Sequence, residues 1–400
     1  MFSVKHFKER LIEGILFLSG SITSISVVLI VLFLFAEGFR LFNKSTIEEG
    51  YLLGVNKSNP VQTLTKAQVK AIFDSEITNW KELGGRDEEI VLFRMEDITN
   101  YYSDEEIGDE FQYLPARISE LVGKTPGILA FIAEKYKDPA FAGVEVHIDK
   151  LSISEFLTGR EWFPTAQPVA QLGILPLILG TVWVSLGAII IALPFGLATA
   201  IYMAEIADER VRKVLKPMVE LLAGIPSVVY GFFGLIVIVP KIQHLFNIPV
   251  GETGLAGSII LGIMALPTII TITEDAIRTT PRSMKEASLA LGATNWQTIY
   301  KVILPYSVSG ISAAIILGIG RAMGETMAVL MVTGNAAVIP TTLLEPVRTI
   351  PATIAAELGE APQGGLHYEA LFVLGCILFL MTMILNLAVE YILSKRKRAS

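Results

Sequence analysis

One cysteine in 400 residues, Cys376, leaves no partner for an intrachain disulfide and no basis for a thiolate metal site. The four histidines, His6, His147, His244 and His367, stand apart without ligand spacing and read as isolated surface or interface residues. Charge is scarce as well: 18% of residues are charged, 52% are hydrophobic and the mean hydropathy is +0.56. That balance excludes an ordinary soluble enzyme. A phosphate-binding loop is also missing. Its nearest approach, Gly123-Lys124-Thr125, has Ile118 where the motif requires its first glycine. No cofactor and no enzymatic activity are expected of the chain itself.

Long hydrophobic runs are what the chain has instead. Six reach the roughly 20 residues needed to cross a bilayer: about 14–38, 174–203, 217–240, 255–277, 306–334 and 368–393. The first is too long for a signal-peptide core and has no small-residue cleavage pattern, so it reads as a retained helix. Cations group at alternate ends of the runs. Lys5, Lys8 and Arg10 precede the first. Arg210, Arg212, Lys213 and Lys216 separate the second from the third. Arg278, Arg282, Lys285 and Lys301 separate the fourth from the fifth, and Lys395 to Arg398 follow the sixth. Six spans put all four groups on one side. A multi-pass protein of the cell membrane is expected, with both termini cytoplasmic.

The soluble stretches divide the charge. Residues 46–168 hold 12 Lys and Arg against 22 Asp and Glu, a net of −10 within a chain total of −7. Its cluster Asp104-Glu105-Glu106…Asp109-Glu110 argues against nucleic acid or anionic lipid as partner, though a solvated face has the same composition. Within it, LTKAQVKAIFDSEITNWKELGG (64–85) carries helix signals. Thr65 and Gln68 form a capping box, Leu64 and Val69 a staple, Ile72 and Phe73 an apolar face, and Asn79 with Gly84-Gly85 the exit. Three domains follow: an N-terminal membrane helix (1–45), a small α/β extracytoplasmic lobe (46–155), and an all-α core with five membrane helices (156–400).

Between the fourth and fifth runs, TTPRSMKEASLALGATNWQTIYKVILP parses as helix, glycine, helix. Thr280 is a candidate N-cap with Pro281 at the first helical position. Gly292 suits a left-handed terminus, and Thr294 with Gln297 is a second capping box leading to Pro305. Met284, Leu289 and Leu291 are available to dock on something, although a plain connecting hairpin could use the same caps. These residues resemble the EAA loop of ABC-transporter permeases: Glu286, Ala287, Ser288, then Gly292, then Val302, Leu304 and Pro305. Ser288 replaces the pattern's second alanine, and Val302 its isoleucine. The resemblance implies that the elbow seats in a groove of an ATPase subunit, with Glu286, Ala287, Gly292, Leu304 and Pro305 as coupling residues.

The fifth run holds Arg321 and Glu325 near its middle. A charge at that depth is costly, so such residues face protein or water and usually work. Four apart, they are expected on one helical face and able to pair. Gly320 and Gly324 flank that face on one side, Ala314, Gly318 and Ala322 on the other, which argues for burial at a helix interface. A static pair that only locks packing is the plainer reading. A cation in a translocation path favours an anion, and arginine forks suit phosphate-like oxygens. RAMGETMAV, FLTGREWFPTA (156–166), LLAGIPSVVYGFFGL (221–235) and ALPTIITITEDAIRTTP (265–281) are similar to the PstC-type permease of phosphate ABC transporters. That resemblance implies the six-span, MetI-like permease fold and, as partners, a second, PstA-like permease, two ATPase subunits and an extracytoplasmic phosphate-binding protein. Phosphate is the implied substrate. Arg321 and Glu325 become translocation-path residues, with Glu274 a weaker candidate. A permease for molybdate or sulfate, or a receptor-like sensor, stays open as an alternative.

The stretch VNKSNPVQTLTKAQVKAIFDSEITNWKELGG resembles the phosphate-binding protein rather than the permease. Where that protein carries a pattern like Arg-x-Asp-Gly-Ser-Gly-Thr, this chain has Arg94-Met95-Glu96-Asp97-Ile98-Thr99-Asn100. The glycines that let backbone amides cradle an anion are gone, and two carboxylates are added. The resemblance implies one lobe of a clamshell with its ligand chemistry dismantled.

Overall fold

The structure, a computed structural model, describes residues 2–48 and 50–397. The side chains of 2–11, 389 and 392–397 lie outside that description, and with them the cations Lys5, Lys8, Arg10 and Lys395 to Arg398. The chain is a multi-pass membrane protein. Among the described residues, six helices are long and apolar enough to cross a bilayer: Ile12–Asn43, Leu175–Ile206, Ser227–Phe246, Gly254–Arg278, Asn295–Gly324 and Leu366–Ala388.

Two of these depart from the hydrophobic runs. The third span starts at Ser227, not 217, because Gly224-Ile225-Pro226 interrupts the helix and Pro226 is extended (ψ 143°). The fifth ends at Gly324, ten residues short of the run, because Glu325 turns extended (φ −73°, ψ 135°). Hydrophobicity sees neither interruption, since both neighbouring pieces are apolar.

The chain forms two compact units: Met1–Leu34 with Ile174–Glu360 and Leu371–Ser400, and Phe35–Gly173 with Ala361–Ala370. The first unit holds α1 (Phe2–Gly38) as far as Leu34, where Phe33 meets Phe372 edge-on at 5.7 Å.

The second unit is an α/β lobe inserted between spans one and two. Its sheet has the order β2-β3-β1-β4, with β1 Tyr51–Asn56, β2 Val91–Arg94, β3 Ile128–Ala133 and β4 Gly143–Glu145. β1 runs antiparallel to β3 (Tyr51 opposite Ala133) and to β4, while β2 is parallel to β3 (Val91 opposite Ile128). Every residue of β3 is buried, as a central strand covered on both faces must be. Alternate residues feed two cores. Ile128, Ala130 and Ile132 join Ile118, Leu121 and Val122 of α3 (Leu114–Lys124), while Leu129 and Phe131 join Trp80 and Val69 and Ile72 of α2 (Lys66–Phe73). α2 has the expected capping box: the Gln68 amide donates to Thr65 Oγ1 (3.3 Å) and the Thr65 amide to Gln68 Oε1 (2.8 Å). Asn79 does not end this helix. Its side chain caps a separate 3-10 turn, Trp80–Leu83, which Gly84 closes in left-handed conformation (φ 81°).

This unit reaches beyond residues 46–155. Phe42 meets Phe156 edge-on at 5.9 Å and Ile47 bridges Val169, while within the expected bounds Lys66 Nζ lies 3.3 Å from Glu155. Lys44 adds an ion pair to the buried Glu369 at 3.1 Å.

The membrane unit is built on α4 (Leu175–Ile201) and α8 (Gly254–Arg278), which pack through glycines. A Cβ on Gly187 would lie 2.3 Å from Ser258 Oγ, and one on Gly196 2.8 Å from Ile269. Such close approach suits helices that meet in lipid, where dispersion contacts drive association. An amphipathic helix, α5 (Glu209–Ala223), precedes the third span, which comprises α6 (Ser227–Phe233), a π-turn and α7 (Val239–Phe246). The remaining helices are α9 (Arg282–Ala290), α10 (Asn295–Thr298), α11 (Leu304–Gly324), α12 (Met327–Val332), α13 (Ile350–Glu357) and α14 (Leu366–Lys397). Ala314 and Ala322 of α11 are buried, and Gly318 faces Ile269 of α8.

Candidate coupling elbow and membrane arginine

The elbow consists of α9, Gly292, α10 and a π-turn, Ile299–Ile303, that runs into α11. Gly292 has φ +83°, and its amide donates to Leu289 O at 2.9 Å. Thr294 and Gln297 form the second capping box (3.2 and 2.9 Å). One expectation fails at the start. Pro281, not Thr280, is the N-cap, because the buried Thr280 hydroxyl is already engaged with Ser307 Oγ at 3.2 Å. Glu286, Ala287 and Gly292 are exposed, as is Pro305, while Leu304 is half-buried against the bundle. The apolar residues of the elbow stand out of the chain: Leu291 is 89% exposed and Trp296 64%, with Met284, Leu289 and Tyr300 also exposed. An exposed apolar patch of this kind marks an interaction surface.

Arg321 sits in the last turn of α11 and is exposed, while Glu325 lies beyond the helix end and is half-buried. The structure therefore does not bring them together as an i,i+4 pair. Among the described residues no carboxylate pairs with Arg321. The two small-residue stripes also differ. Ala314, Gly318 and Ala322 are packed inside the chain, but a Cβ on Gly320 or Gly324 would meet nothing within 4 Å. Arg321 thus belongs to an open, glycine-edged face and is not enclosed within the chain.

Glu274 is enclosed, not facing an open path. Its carboxylate, fully buried, receives Arg212 Nε at 2.7 Å, Lys216 Nζ at 3.3 Å and Arg278 at 3.7 Å. A charge buried this deeply needs such partners. It ties α5 to the end of α8.

In the lobe, the stretch after β2 is a 3-10 helix, Met95–Asn100, and Asp97 Oδ2 accepts the Arg94 amide at 2.9 Å. The Arg94 guanidinium lies over the Phe73 ring at 5.3 Å. The segment's own carboxylate thus engages an amide that an anion-binding nest would leave free.

Residues 192–398, just over half of the chain, match the family model described as binding-protein-dependent transport system inner membrane component. The chain belongs to that family. Residues 36–145 match a second model, the PBP superfamily domain. The chain is 42% identical over 250 residues to the "Probable ABC transporter permease protein YqgH" of Bacillus subtilis (strain 168), covering 62% of this chain and 81% of the relative. It is 39% identical over 259 residues to the phosphate transport system permease protein PstC of Mesorhizobium japonicum, covering 60% and 78%. Among solved structures, an ABC-type phosphate transport receptor from Vibrio cholerae aligns with 29% of this chain and 52% of its own, at 23% identity and a TM-score of 0.20.

Two features of this inner membrane component escaped the sequence reading. One is α5, whose polar face looked like a loop and whose apolar face merged into the third run. The other is the ion pair between Lys285 on α9 and Glu205 at the end of the second span, 80 residues apart. Its one sequence-level signal was the presence of both residues in polar patches flanking spans.

Proposed function

We propose that this chain is one of two permease subunits of an ATP-driven phosphate importer. The observation that carries the substrate class is its likeness, across about three-fifths of its length, to a permease named for phosphate transport. The elbow's exposed apolar surface supports a separate ATPase as the energy source. Two ATPase subunits, a PstA-like second permease and an extracytoplasmic phosphate-binding protein complete the assembly. In this reading the elbow end and both termini are cytoplasmic, in keeping with Arg210, Arg212, Lys213, Lys216, Arg278, Arg282, Lys285 and Lys301 at that end.

Glu286, Ala287, Gly292, Leu304 and Pro305 form the coupling element. Arg321 lines the translocation path: its open, glycine-edged face is completed by the second permease, and its guanidinium meets the anion. Glu325, at the helix break, lies at the same path. Residues 46–155 contribute an extracytoplasmic lobe, and 1–45 and 156–400 the membrane helices.

The test is coupling. Glu286→Lys and Gly292→Pro should insert normally but fail to link ATP hydrolysis to phosphate uptake. Proline cannot adopt the φ of +83° at position 292, and this glycine has no steric contact whose loss could confuse the result. Normal uptake by both variants would overturn the assignment.

A further inference from the structure

The elbow touches the rest of the membrane unit at few polar points, and one stands out. Lys285 Nζ, on α9, donates to Glu205 Oε1 at 2.5 Å, and the side chains are only 25% and 11% exposed. Glu205 lies in a π-turn, Tyr202–Ile206, that ends the second span. Such turns interrupt regular helix hydrogen bonding and recur at functional positions.

That π-turn is a junction. On one side Met203 and Ala200 pack with Val219 of α5 and Ile270 of α8. On another, Ile201 and Ala204 pack with Ile277 and with Ile299 and Ile303 of the elbow's own π-turn. α5 in turn is held to α8 by the three cations around Glu274. The Lys285–Glu205 contact joins α9 directly to the π-turn that ends α4, whereas the Ser288–Thr298 hydrogen bond (2.9 Å) joins α9 only to α10; α4 in turn is the helix packed along α8 through Gly187 and Gly196. The apolar contacts of the junction attach to the far arm of the elbow. Among the described residues, the Lys285–Glu205 pair is the only ion pair made by α9.

We propose that Lys285 and Glu205 are positioning residues for energy coupling, transmitting the movement of α9 to the second span. The proposal rests on the reading of the elbow as the ATPase contact. Both side chains are largely buried, so a single reversal leaves like charges together and destabilises the fold, and the double reversal, which restores opposite charges, is the variant that separates coupling from folding. The pair's effect belongs to coupling, where interactions of this kind shift linked equilibria by roughly five- to 150-fold.

The experiment uses the assembled transporter in proteoliposomes, with ATP hydrolysed and phosphate taken up measured together. Lys285→Glu and Glu205→Lys should each lower phosphate transported per ATP by about tenfold while the ATPase subunit still copurifies. The double reversal, Glu205→Lys with Lys285→Glu, should recover most of the ratio. Three results overturn the proposal: single variants with the parental ratio, single variants that lose the ATPase subunit, or a double reversal no better than the singles. Gly292→Pro in the same assay separates the two levels. If it too couples normally, the elbow reading fails. If it uncouples while Lys285→Glu does not, only the transmission contact fails.

Discussion

Arg321 combines exposure within the chain with a position in a membrane span, and that combination decides its interpretation. A guanidinium facing hydrocarbon is costly, so an exposed arginine in the last turn of a span implies water, substrate or a second subunit opposite it. Because no carboxylate within the described chain pairs with it, Arg321→Gln removes no buried counter-charge and should leave membrane levels unchanged. Phosphate uptake should fall roughly ten- to hundredfold, the loss of one charge-assisted hydrogen bond of ~1.5–3 kcal/mol. Glu325→Gln should be milder if the carboxylate only shapes the path. An Arg321→Gln variant that reaches the membrane at reduced levels yet transports normally per molecule would assign the arginine to packing instead.

At the scale of elements, what could be read from the sequence was what is local. Thr65 with Gln68 and Thr294 with Gln297 are capping boxes because the pairs lie three residues apart and need nothing else. Gly292 was legible for the same reason. The end of α11 was not: an i,i+4 spacing of Arg321 and Glu325 looks the same whether or not the helix continues past Gly324. The break shows only when the extended backbone of Glu325 is seen. Nor could the sequence join α2 to the stretch around Glu155, 89 residues on from Lys66.

That contact predicts a stability asymmetry. Lys66 is buried, Glu155 is 42% exposed at its side chain, and burial holds the Lys66 ammonium below the usual lysine range. Glu155→Ala strands the ammonium and should cost about 1–3 kcal/mol. Lys66→Met leaves Glu155 partly hydrated and should be neutral or mildly stabilising. The folded chain binds this proton less tightly than the unfolded chain. In Glu155→Ala the deficit is therefore full at neutral pH and shrinks as pH rises from the lowered value toward the ordinary lysine range. Thermal unfolding of the detergent-purified chain at neutral and alkaline pH checks both direction and order. Equal destabilisation by the two variants would show that the pair, not the buried ammonium, matters.

For the whole molecule, the lobe is a compact unit, and residues 36–145 within it match the PBP superfamily domain. Its two cores are filled, β3 is buried end to end, and yet the segment at Arg94 has turned its amide onto Asp97. With a net charge of −10 over residues 46–168, a dianion approaching that surface is repelled. The intact chain should therefore show no micromolar phosphate binding at the lobe by calorimetry when measured in the Arg321→Gln background, which removes the arginine proposed to line the path. Because Phe156, Val169 and Glu369 belong to the same unit, this measurement needs the full chain and not an excised 46–155 fragment. The same acidic surface suits a partner that presents cations. Replacing 51–145 with a short flexible linker spares Lys44, Ile47, Phe156 and Val169. It should raise the concentration of phosphate-binding protein needed for half-maximal uptake and flatten its dependence on salt, as expected when electrostatic steering is removed. Uptake that keeps its concentration and salt dependence after the replacement would make the lobe a tolerated insertion, and micromolar phosphate binding would restore it as a ligand site.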